Sequence, residues 1–396
     1  MSSSSFISSL SLYEENIESL VKLCLSKNRD RVDMHGGRKA ALQYLLHIQS
    51  AGFDLSSFIN LKDFEKLKEE INKLKELDFY KKKFDEHRDD TYEQYWELTS
   101  HSNRIHPIAK NARQIINKYG HFPLEQLKVY FNAKQIDNIP SSKEHFESCG
   151  SFDDDARDNM LKYPIAQRQN KGQINTKQGR IEKAIFDVPS GKQIIVLDFA
   201  DERMPGGLFL YGASTQEETI CYNSNAYGAL LDFKYQCFDG GFMIPEFGCL
   251  YIKNVKFFKP TQHIEERTVD IVAAACYDLT REHGLYEAPS SFERIEANTQ
   301  KKLETVIASA QANTEENGSD TYLIIGPIGC GAFQNPIQTI VKLWAKILSQ
   351  PLNNSLNTQK RHAFEHIWFL SGKTDKLITF EKACAEAFGC DIVQRL

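Results

Sequence analysis

The sequence predicts an α/β fold with three layers, in which helices cover both faces of a mixed, mostly parallel central sheet. An all-helical N-terminal region is expected to precede it. From about residue 183 onwards, short apolar runs rich in β-branched residues alternate with amphipathic helical stretches, a pattern typical of layered α/β domains. Before residue 105 the apolar residues recur at helical spacing instead.

The N-terminal region, residues 1–104, is expected to be helical throughout. Apolar residues lie at helical spacing in Leu10–Leu25 and Arg38–Ile48, and again from Phe64 to Leu74 among Lys and Glu. Because an amphipathic face usually packs against its own protein, we interpret this region as a helical packing unit. The alternative is a helix that binds a protein partner.

The α/β domain, residues 105–396, is predicted from the apolar runs of its second half, while the polar stretch from residue 120 to about 180 is expected to form long loops. The predicted strands are Ala184–Val188, Gln193–Phe199, Leu250–Phe258, Val269–Cys276, Thr321–Ile325 and His366–Leu370. The predicted helices are Glu217–Phe233, Phe292–Ala312, Ile337–Leu348 and Lys376–Phe388. Since ligands of such sheets bind at the carboxyl ends of strands, the loops that follow strands are the candidate site.

Composition argues against several classes of protein. With a net charge of −5 and a pI of about 6.2, the chain lacks the basic field that nucleic-acid binding requires. Its apolar stretches are too short to span a bilayer, and its N-terminus does not resemble a secretory signal. The nine cysteines are widely spaced without a Cys-x-x-Cys pair, so we expect free thiols, no metal site and a cytoplasmic location. The Lys- and Asn-rich extension would also suit a bacterial protein delivered into a host cell's cytosol.

The first candidate loop follows the strand that ends at Phe199. It contains Pro205-Gly206-Gly207 and then a helix start with Ser214 or Thr215 as a candidate cap and paired acids in the first turn. Glycines let the backbone approach a bulky ligand closely. A turn followed by a capped helix needs no ligand, so this loop alone leaves a purely structural role open.

The second candidate loop follows the strand Thr321–Ile325. Gly326, Gly329 and Gly331 lie between strand and helix, and Asn335-Pro336 offers an N-cap and a first-turn proline. Consecutive backbone N–H groups in such a loop form a concave site for phosphates. Together the two loops would suit a diphosphate joined to a sugar that undergoes acid-assisted chemistry.

The stretch Val196–Glu218 resembles the macrodomain of the bacterial-type poly(ADP-ribose) glycohydrolases. Their pattern is a strand ending in Asn-Phe-Ala-Asn, then Pro-Gly-Gly-Gly, seven residues and Gln-Glu-Glu. This chain has Asp-Phe-Ala-Asp at 198–201, Pro-Gly-Gly-Leu at 205–208 and Gln-Glu-Glu at 216–218. Gly-Cys-Gly-Ala-Phe at 329–333 is similar to the phosphate loop of that family.

The resemblance extends over residues 105–396, because the stretch Ile108–Tyr119 is similar to the opening helix of that family. It implies a macrodomain that binds ADP-ribose as ligand or product and needs no further cofactor. It implies that Glu218 is the catalytic acid and that Glu217 binds the distal ribose. The residues implied to bind the ligand are Asp198, Gly206, Gly207, Leu208, Gln216, Gly329, Cys330, Gly331, Ala332 and Phe333.

Three positions depart from the pattern of the family. Leu208 replaces its third glycine and would crowd the ligand or close one side of the groove. Asp198 and Asp201 replace asparagines. A carboxylate at Asp201 beside a diphosphate motivates a hypothesis in which the acceptor is cationic, as in ADP-ribosyl-arginine. The alternative is that Asp201 caps the turn.

Taken together, the residues and the resemblance predict a hydrolase that removes mono-ADP-ribose from a modified protein substrate, with catalytic residues Glu218, Glu217 and Asp201. Retention of Gln216-Glu217-Glu218 favours an enzyme, since a protein that only binds ADP-ribose does not need the acid. Two alternatives stay open: a non-catalytic ADP-ribose reader and a poly(ADP-ribose) glycohydrolase.

Overall fold

The centre of the fold is an eight-stranded sheet. In this computed structural model, the described residues are 14–27, 35–50, 54–77, 118–137, 154–238, 240–259, 266–282, 284–352, 358–389 and 392–396. The strands are β1 (Leu127–Tyr130), β2 (Gln173–Gln178), β3 (Gln193–Phe199), β4 (Cys249–Phe258), β5 (Glu266–Ala274), β6 (Thr321–Ile325), β7 (His366–Ser371) and β8 (Val393–Arg395).

The strands follow the order β1-β4-β5-β3-β6-β7-β2-β8 across the sheet. β4 pairs antiparallel with both β1 and β5, and the remaining neighbours pair in parallel. The carboxyl ends of β5, β3, β6, β7 and β2 therefore meet at one edge of the sheet. The predicted mixed, mostly parallel sheet is confirmed.

Both faces of the sheet are buried, as the strand β3 illustrates. Ile194 and Val196 belong to one hydrophobic cluster, and Ile195 and Leu197 belong to a second cluster on the opposite face. Successive side chains of a strand point to opposite faces, so a strand between two helical layers is apolar along most of its length.

Two layers of helices cover these faces, which confirms the three-layer architecture. The helices on the first face are α1 (Glu14–Leu25), α2 (Gly37–Ser50), α3 (Leu61–Leu77), α6 (Ile181–Asp187), α7 (Gln216–Tyr222) and α8 (Ala226–Asp232). Those on the second face are α4 (Ala133–Asp137), α5 (Asp154–Lys162), α9 (Phe292–Ala312), α10 (Ile337–Ser349) and α11 (Thr374–Phe388).

The predicted type of secondary structure was wrong in two stretches. The run Ala184–Val188 is not a strand but lies mostly in α6, where Ile181, Ala184 and Ile185 are buried at helical spacing. The stretch expected to be long loops contains β1, β2, α4 and α5. β2 escaped the prediction because its sequence QINTKQ is polar, although it pairs with both β7 and β8.

The predicted helix Glu217–Phe233 is in fact two helices, α7 and α8. The break lies at Asn223–Asn225, where the backbone pairs with β4 instead of continuing the helix. The carbonyl of Asn223 accepts the N–H of Phe258 over 2.7 Å, and the side chain of Asn225 accepts that of Lys256 over 2.8 Å.

The N-terminal helices pack onto the rest of the protein through apolar and aromatic side chains. Ile17 and Leu20 of α1 and Leu45 of α2 belong to the same hydrophobic cluster as the first face of the sheet. Tyr44 stacks on Phe131, with ring centroids 3.9 Å apart. The amphipathic faces of this region are therefore used in packing.

The expected boundary at residues 104 and 105 lies outside the described residues, as does almost all of the predicted helix Ile108–Tyr119. Within the described ranges, no helix combines the length and the apolar character that a membrane span requires.

Candidate active site

A cleft of about 750 Å³ opens at the carboxyl edge of the sheet. The loop after β3, which we call the first loop (residues 200–215), forms one wall together with the start of α7. The loop after β6, which we call the second loop (residues 326–335), forms the opposite wall. The structure thus brings both predicted loops to one cavity, as the parallel order of β3 and β6 requires.

The first loop begins with a tight turn at Asp201. Oδ1 of Asp201 accepts the backbone N–H groups of Arg203 and Met204, each over 2.9 Å. Asp201 therefore caps the turn, and it also lines the cleft. Its own N–H donates to Oε2 of Glu217 over 2.8 Å, which ties the turn to α7.

Glu218 lies at the start of α7 and is almost fully buried. Its Oε1 accepts the N–H of Leu208 over 3.1 Å, and its Oε2 accepts the hydroxyl hydrogen bond of Thr215. Thr215 is the N-cap residue, but its hydroxyl binds this carboxylate and makes no capping bond to the backbone. Both hydrogen bonds hold the carboxylate at the cleft wall.

Glu217 is buried beside it, and Oε1 of Glu217 has no hydrogen-bond partner. Burial raises the pKa of its carboxyl well above the ordinary value, and the charges of Asp198, Asp201 and Glu218 raise it further. Since one oxygen accepts an N–H and the other is unpartnered, a proton on Oε1 disturbs no contact. Glu217 can therefore hold a proton at pH values where an ordinary glutamate has lost it.

Asp198, at the end of β3, lies below the cleft wall and does not line the cleft. It is 1% exposed, and its Oδ1 has no hydrogen-bond partner. Burial, and then the charge of Glu218, raises the pKa of Asp198 well above its ordinary value. Asp198, which was predicted to bind the ligand, is thus placed to influence the acid pair through its charge.

Gln216 joins α7 to the sheet. Its side chain accepts the N–H of Phe199 over 2.8 Å and donates to the carbonyl of Leu197 over 2.6 Å. Both polar groups of the amide therefore bind the sheet, and Gln216 anchors α7 to β3. Gln216 also lines the cleft.

The two glycines of the first loop differ in their surroundings. A Cβ on Gly207, where φ is +57°, would lie 2.7 Å from Oε1 of Glu218 and 2.9 Å from Oε2 of Glu217. A Cβ on Gly206 would instead meet the ring of Tyr227 in the core. Gly207 thus lines the cleft directly above the acid pair, whereas Gly206 does not line it.

The second loop is held by Asn335. Its side-chain amide donates to the carbonyls of Tyr277 over 2.8 Å and of Gly329 over 3.2 Å. The predicted N-cap at Asn335 is wrong, because Pro336 occupies that position and α10 starts at Ile337. The amide that would have capped the helix fixes the loop instead.

Gly329, Gly331, Ala332 and Phe333 all line the cleft, whereas Cys330 does not. The Cys330 thiol faces the carbonyl of Ile328, 3.6 Å away. Burial raises the pKa of this thiol to about 11, although Lys376 lowers it. The thiol is therefore protonated near neutral pH and is unsuited to act as a nucleophile.

Basic side chains at the cleft were missed by the sequence analysis. Arg180, after β2, and Lys373 and Lys376, after β7, line the end of the cleft where these two strands finish. Nζ of Lys376 donates to the carbonyl of Cys330 over 3.1 Å. Ligands of such sheets bind at the carboxyl ends of strands. This rule applies equally to β2 and β7 and would have pointed to these residues. Within the described ranges, no cluster of His, Cys, Asp or Glu could hold a metal ion.

One protein family matches part of this chain. Residues 109–260 match the family described as microbial-type PARG, catalytic domain. This span includes the first loop and α7 and ends before the second loop. Comparison with curated protein sequences gives no significant match.

Several solved structures are similar at low identity. Poly(ADP-ribose) glycohydrolase from Thermomonospora curvata is 18% identical, with 71% of this chain and 98% of that chain covered and a TM-score of 0.48. The protein from Deinococcus radiodurans in complex with ADP-ribose is 16% identical, with 72% and 100% covered and a TM-score of 0.46. Residues 109–260 of this chain are thus similar to the microbial-type PARG catalytic domain, and this span includes the first loop and the carboxylates of the cleft.

Proposed function

We propose that this protein is an ADP-ribosyl hydrolase that removes mono-ADP-ribose from modified protein side chains. One observation carries the proposal. Two buried neighbouring carboxyls, Glu217 and Glu218, lie against a Gly-rich loop and face a second Gly-rich loop across one cleft. We assign residues 105–396 to this macrodomain, with the N-terminal helices as its helical extension.

The two loops suit the diphosphate and ribose of the ligand. Backbone around Gly207 and Gly331 is accessible to a bulky ligand, and a Cβ on Gly331 would meet no atom within 4 Å. The basic side chains of Arg180, Lys373 and Lys376 offset the negative charge of a diphosphate, which the acidic wall of the cleft would otherwise repel.

The carboxyl pair suits acid-assisted cleavage at the anomeric carbon. In the proposed step the bond from this carbon to the acceptor breaks, and the acceptor takes a proton from the acid pair. Water then adds to the carbon as hydroxide, and its remaining proton returns to the acid pair. Positive charge builds on the sugar as the bond breaks, so the carboxylate of Glu218 stabilises it. Glu217 holds a proton beside it because burial and the neighbouring charges raise its pKa. This proposal gives the proton to Glu217 and charge stabilisation to Glu218, whereas the resemblance implied Glu218 as the acid.

Leu208 supports a single modified side chain as the substrate, in preference to a polymer. It lines the cleft next to Glu218, where the acceptor must lie, and it narrows that side of the groove. Asp201 also lines the cleft, which supports the finer hypothesis of an arginine acceptor. An Asp201→Asn variant should lose more activity on arginine-linked than on carboxyl-linked substrates, and equal losses would contradict the arginine hypothesis.

Two alternatives rest on specific observations. The leucine that narrows the groove favours a reader that binds ADP-ribose without turnover. The match of residues 109–260 to the microbial PARG family favours cleavage of poly(ADP-ribose) itself.

Release of free ADP-ribose tests the proposal. The substrates are arginine-, serine- and glutamate-linked mono-ADP-ribose and the polymer, each with the wild type, Glu218→Gln and the matched control Glu293→Gln. Glu293 is also an acid in the first turn of a helix, but it is exposed and lies outside the cleft. We expect release that Glu218→Gln abolishes and Glu293→Gln preserves. Tight binding of ADP-ribose without release from any substrate would establish the reader instead.

A further inference from the structure

The second loop rests on the segment that follows β5. Besides the bond from Asn335 to the carbonyl of Tyr277, the N–H of Leu279 donates to the carbonyl of Phe333 over 3.1 Å. A Cβ on Gly329 would lie 2.5 Å from Cβ of Cys276, so the loop and this segment are in close contact. The position of residues 276–279 therefore sets the position of the loop.

Tyr277 fixes this segment through its side chain. The ring is fully buried, and its hydroxyl donates to Oε1 of Glu246 and accepts the amide N–H of Asn298 over 3.0 Å. Burial, and then the charge of Glu246, raises the pKa of the phenol far above its ordinary value. The hydroxyl therefore stays protonated and remains a donor to Glu246.

Glu246 is held in turn by the N-terminal region. Its other carboxylate oxygen, Oε2, accepts a hydrogen bond from the hydroxyl of Ser19 in α1. Ser19 is buried at the contact between α1 and the macrodomain. A continuous series of hydrogen bonds thus runs from α1 through Glu246, Tyr277 and Asn335 to the carbonyl of Gly329.

We propose that Tyr277 is a positioning residue for ligand binding, and that α1 fixes the second loop through it. This inference rests on the proposed function, because it assigns to the second loop the binding of ADP-ribose. A loop fixed before the ligand arrives binds more tightly, since less conformational freedom is lost on binding. The N-terminal helices are then part of the binding apparatus as well as a packing unit.

The substitution Tyr277→Phe isolates the hydroxyl. Nζ of Lys302 lies 4.3 Å from the centroid of the Tyr277 ring and supports the ring from the side of α9. The phenylalanine ring keeps this contact, and the backbone carbonyl that binds Asn335 remains. The substitution removes one of the two hydroxyl donors of Glu246, which leaves one of its side-chain oxygens without that hydrogen bond.

Tyr251→Phe provides a matched control. Tyr251 is another fully buried tyrosine whose hydroxyl donates to a buried carboxylate, Oδ2 of Asp270, over 3.0 Å. It belongs to β4 and does not line the cleft. Both substitutions remove the same kind of bond, but only Tyr277→Phe should move the second loop.

The experiment compares the full-length wild type with Tyr277→Phe, Ser19→Ala and Tyr251→Phe. Calorimetric titration with ADP-ribose gives Kd, steady-state kinetics give kcat and KM, and thermal unfolding gives Tm. We expect Tyr277→Phe to raise Kd and KM about tenfold, with kcat nearly unchanged because the acid pair belongs to the first wall. Ser19→Ala should raise Kd about threefold, since Glu246 keeps one donor.

The outcomes separate the inference from the proposed function. If Tyr277→Phe binds ADP-ribose like the wild type, or if Tyr251→Phe weakens binding equally, the positioning role is overturned. An effect of Tyr277→Phe without any effect of Ser19→Ala overturns the part assigned to α1. A wild type without affinity for ADP-ribose overturns the proposed function, and the positioning role with it.

Discussion

The backbone nitrogen of Leu208 lies 3.1 Å from Oε1 of Glu218, so a residue that lines the cleft also holds a carboxylate of the acid pair. The two roles can be separated, because the hydrogen bond uses the backbone of Leu208, and its side chain is free to set the width of the cleft. The side chain is 48% exposed, so its removal leaves no cavity in the core.

Leu208→Gly should therefore shift acceptor preference while the acid pair stays in place. We expect the ratio of kcat/KM for the polymer to that for mono-ADP-ribose to rise about tenfold, because a bulkier leaving group gains room. The control is Tyr211→Gly, which gives similar backbone freedom to the same turn at a residue that does not line the cleft. An unchanged ratio, or an equal change in both variants, would contradict the role of the Leu208 side chain.

Gly207→Ala should inactivate the protein. Its Cβ would enter the space occupied by the carboxylates of Glu217 and Glu218, and displacement of a catalytic group by about 1 Å costs roughly a hundredfold in rate. Gly191→Ala is the control, because Gly191 also has a positive φ, +77°, but a Cβ there would meet nothing within 4 Å.

Denaturant titration should show that both alanine variants lose about 1–2 kcal/mol of stability from the left-handed backbone. Assays of turnover should show a large loss for Gly207→Ala alone. Equal activity of the two variants would mean that the contact with the acid pair is unimportant.

Stability should depend on pH through Glu202. Burial raises the pKa of this carboxyl from 4.5 to about 7, although Lys302 lowers it. Because the folded-state pKa is the higher one, Glu202 contributes stability below pH about 4.5, and that contribution is lost as pH rises through about 7.

Glu202→Gln removes this dependence, because an amide does not titrate. Between pH 4 and pH 8 we expect the free energy of unfolding of the wild type to fall by about 3 kcal/mol relative to the variant. Urea denaturation of both proteins across this range measures the difference. If the free energies of unfolding of the two proteins change with pH in the same way, the pKa of Glu202 is not raised in the folded protein.

Asp198→Asn should change the pH dependence of catalysis. The charge of Asp198 raises the pKa of Glu217, so its removal lowers that pKa. If the reaction uses the proton held by Glu217, the alkaline limb of kcat/KM moves to lower pH in the variant. A limb that stays in place or moves to higher pH would show that this proton is not used.

The fold was predictable from sequence where buried strands consist mainly of apolar residues. β3 and β6 are apolar at most positions because helices cover both of their faces, and both were located from sequence. β2 was missed because its buried Asn175 and Thr176 are polar, and only the pairing with β7 and β8 identifies it as a strand.

The site was predictable to the extent that it is local in sequence. The glycines lie in the loops that follow β3 and β6, and Glu217 and Glu218 lie in the helix that follows the first of these loops, so strand ends indicate them. The contact of Ser19 with Glu246 joins residues 227 positions apart, and no local pattern carries it. The burial that raises the pKa of Asp198 likewise depends on the packing of both helical layers.

The amide of Gln216 has a consequence for how the first loop can vary. It continues the hydrogen bonding of β3 past the strand end, with Phe199 as donor and Leu197 as acceptor. The side chain of Gln216 thus fixes the position of α7 against the sheet. This position does not depend on the length of the first loop. An insertion at the exposed Tyr211 should lengthen the rim of the cleft while the carboxylates keep their place, so acceptor recognition can diverge independently of the acid pair.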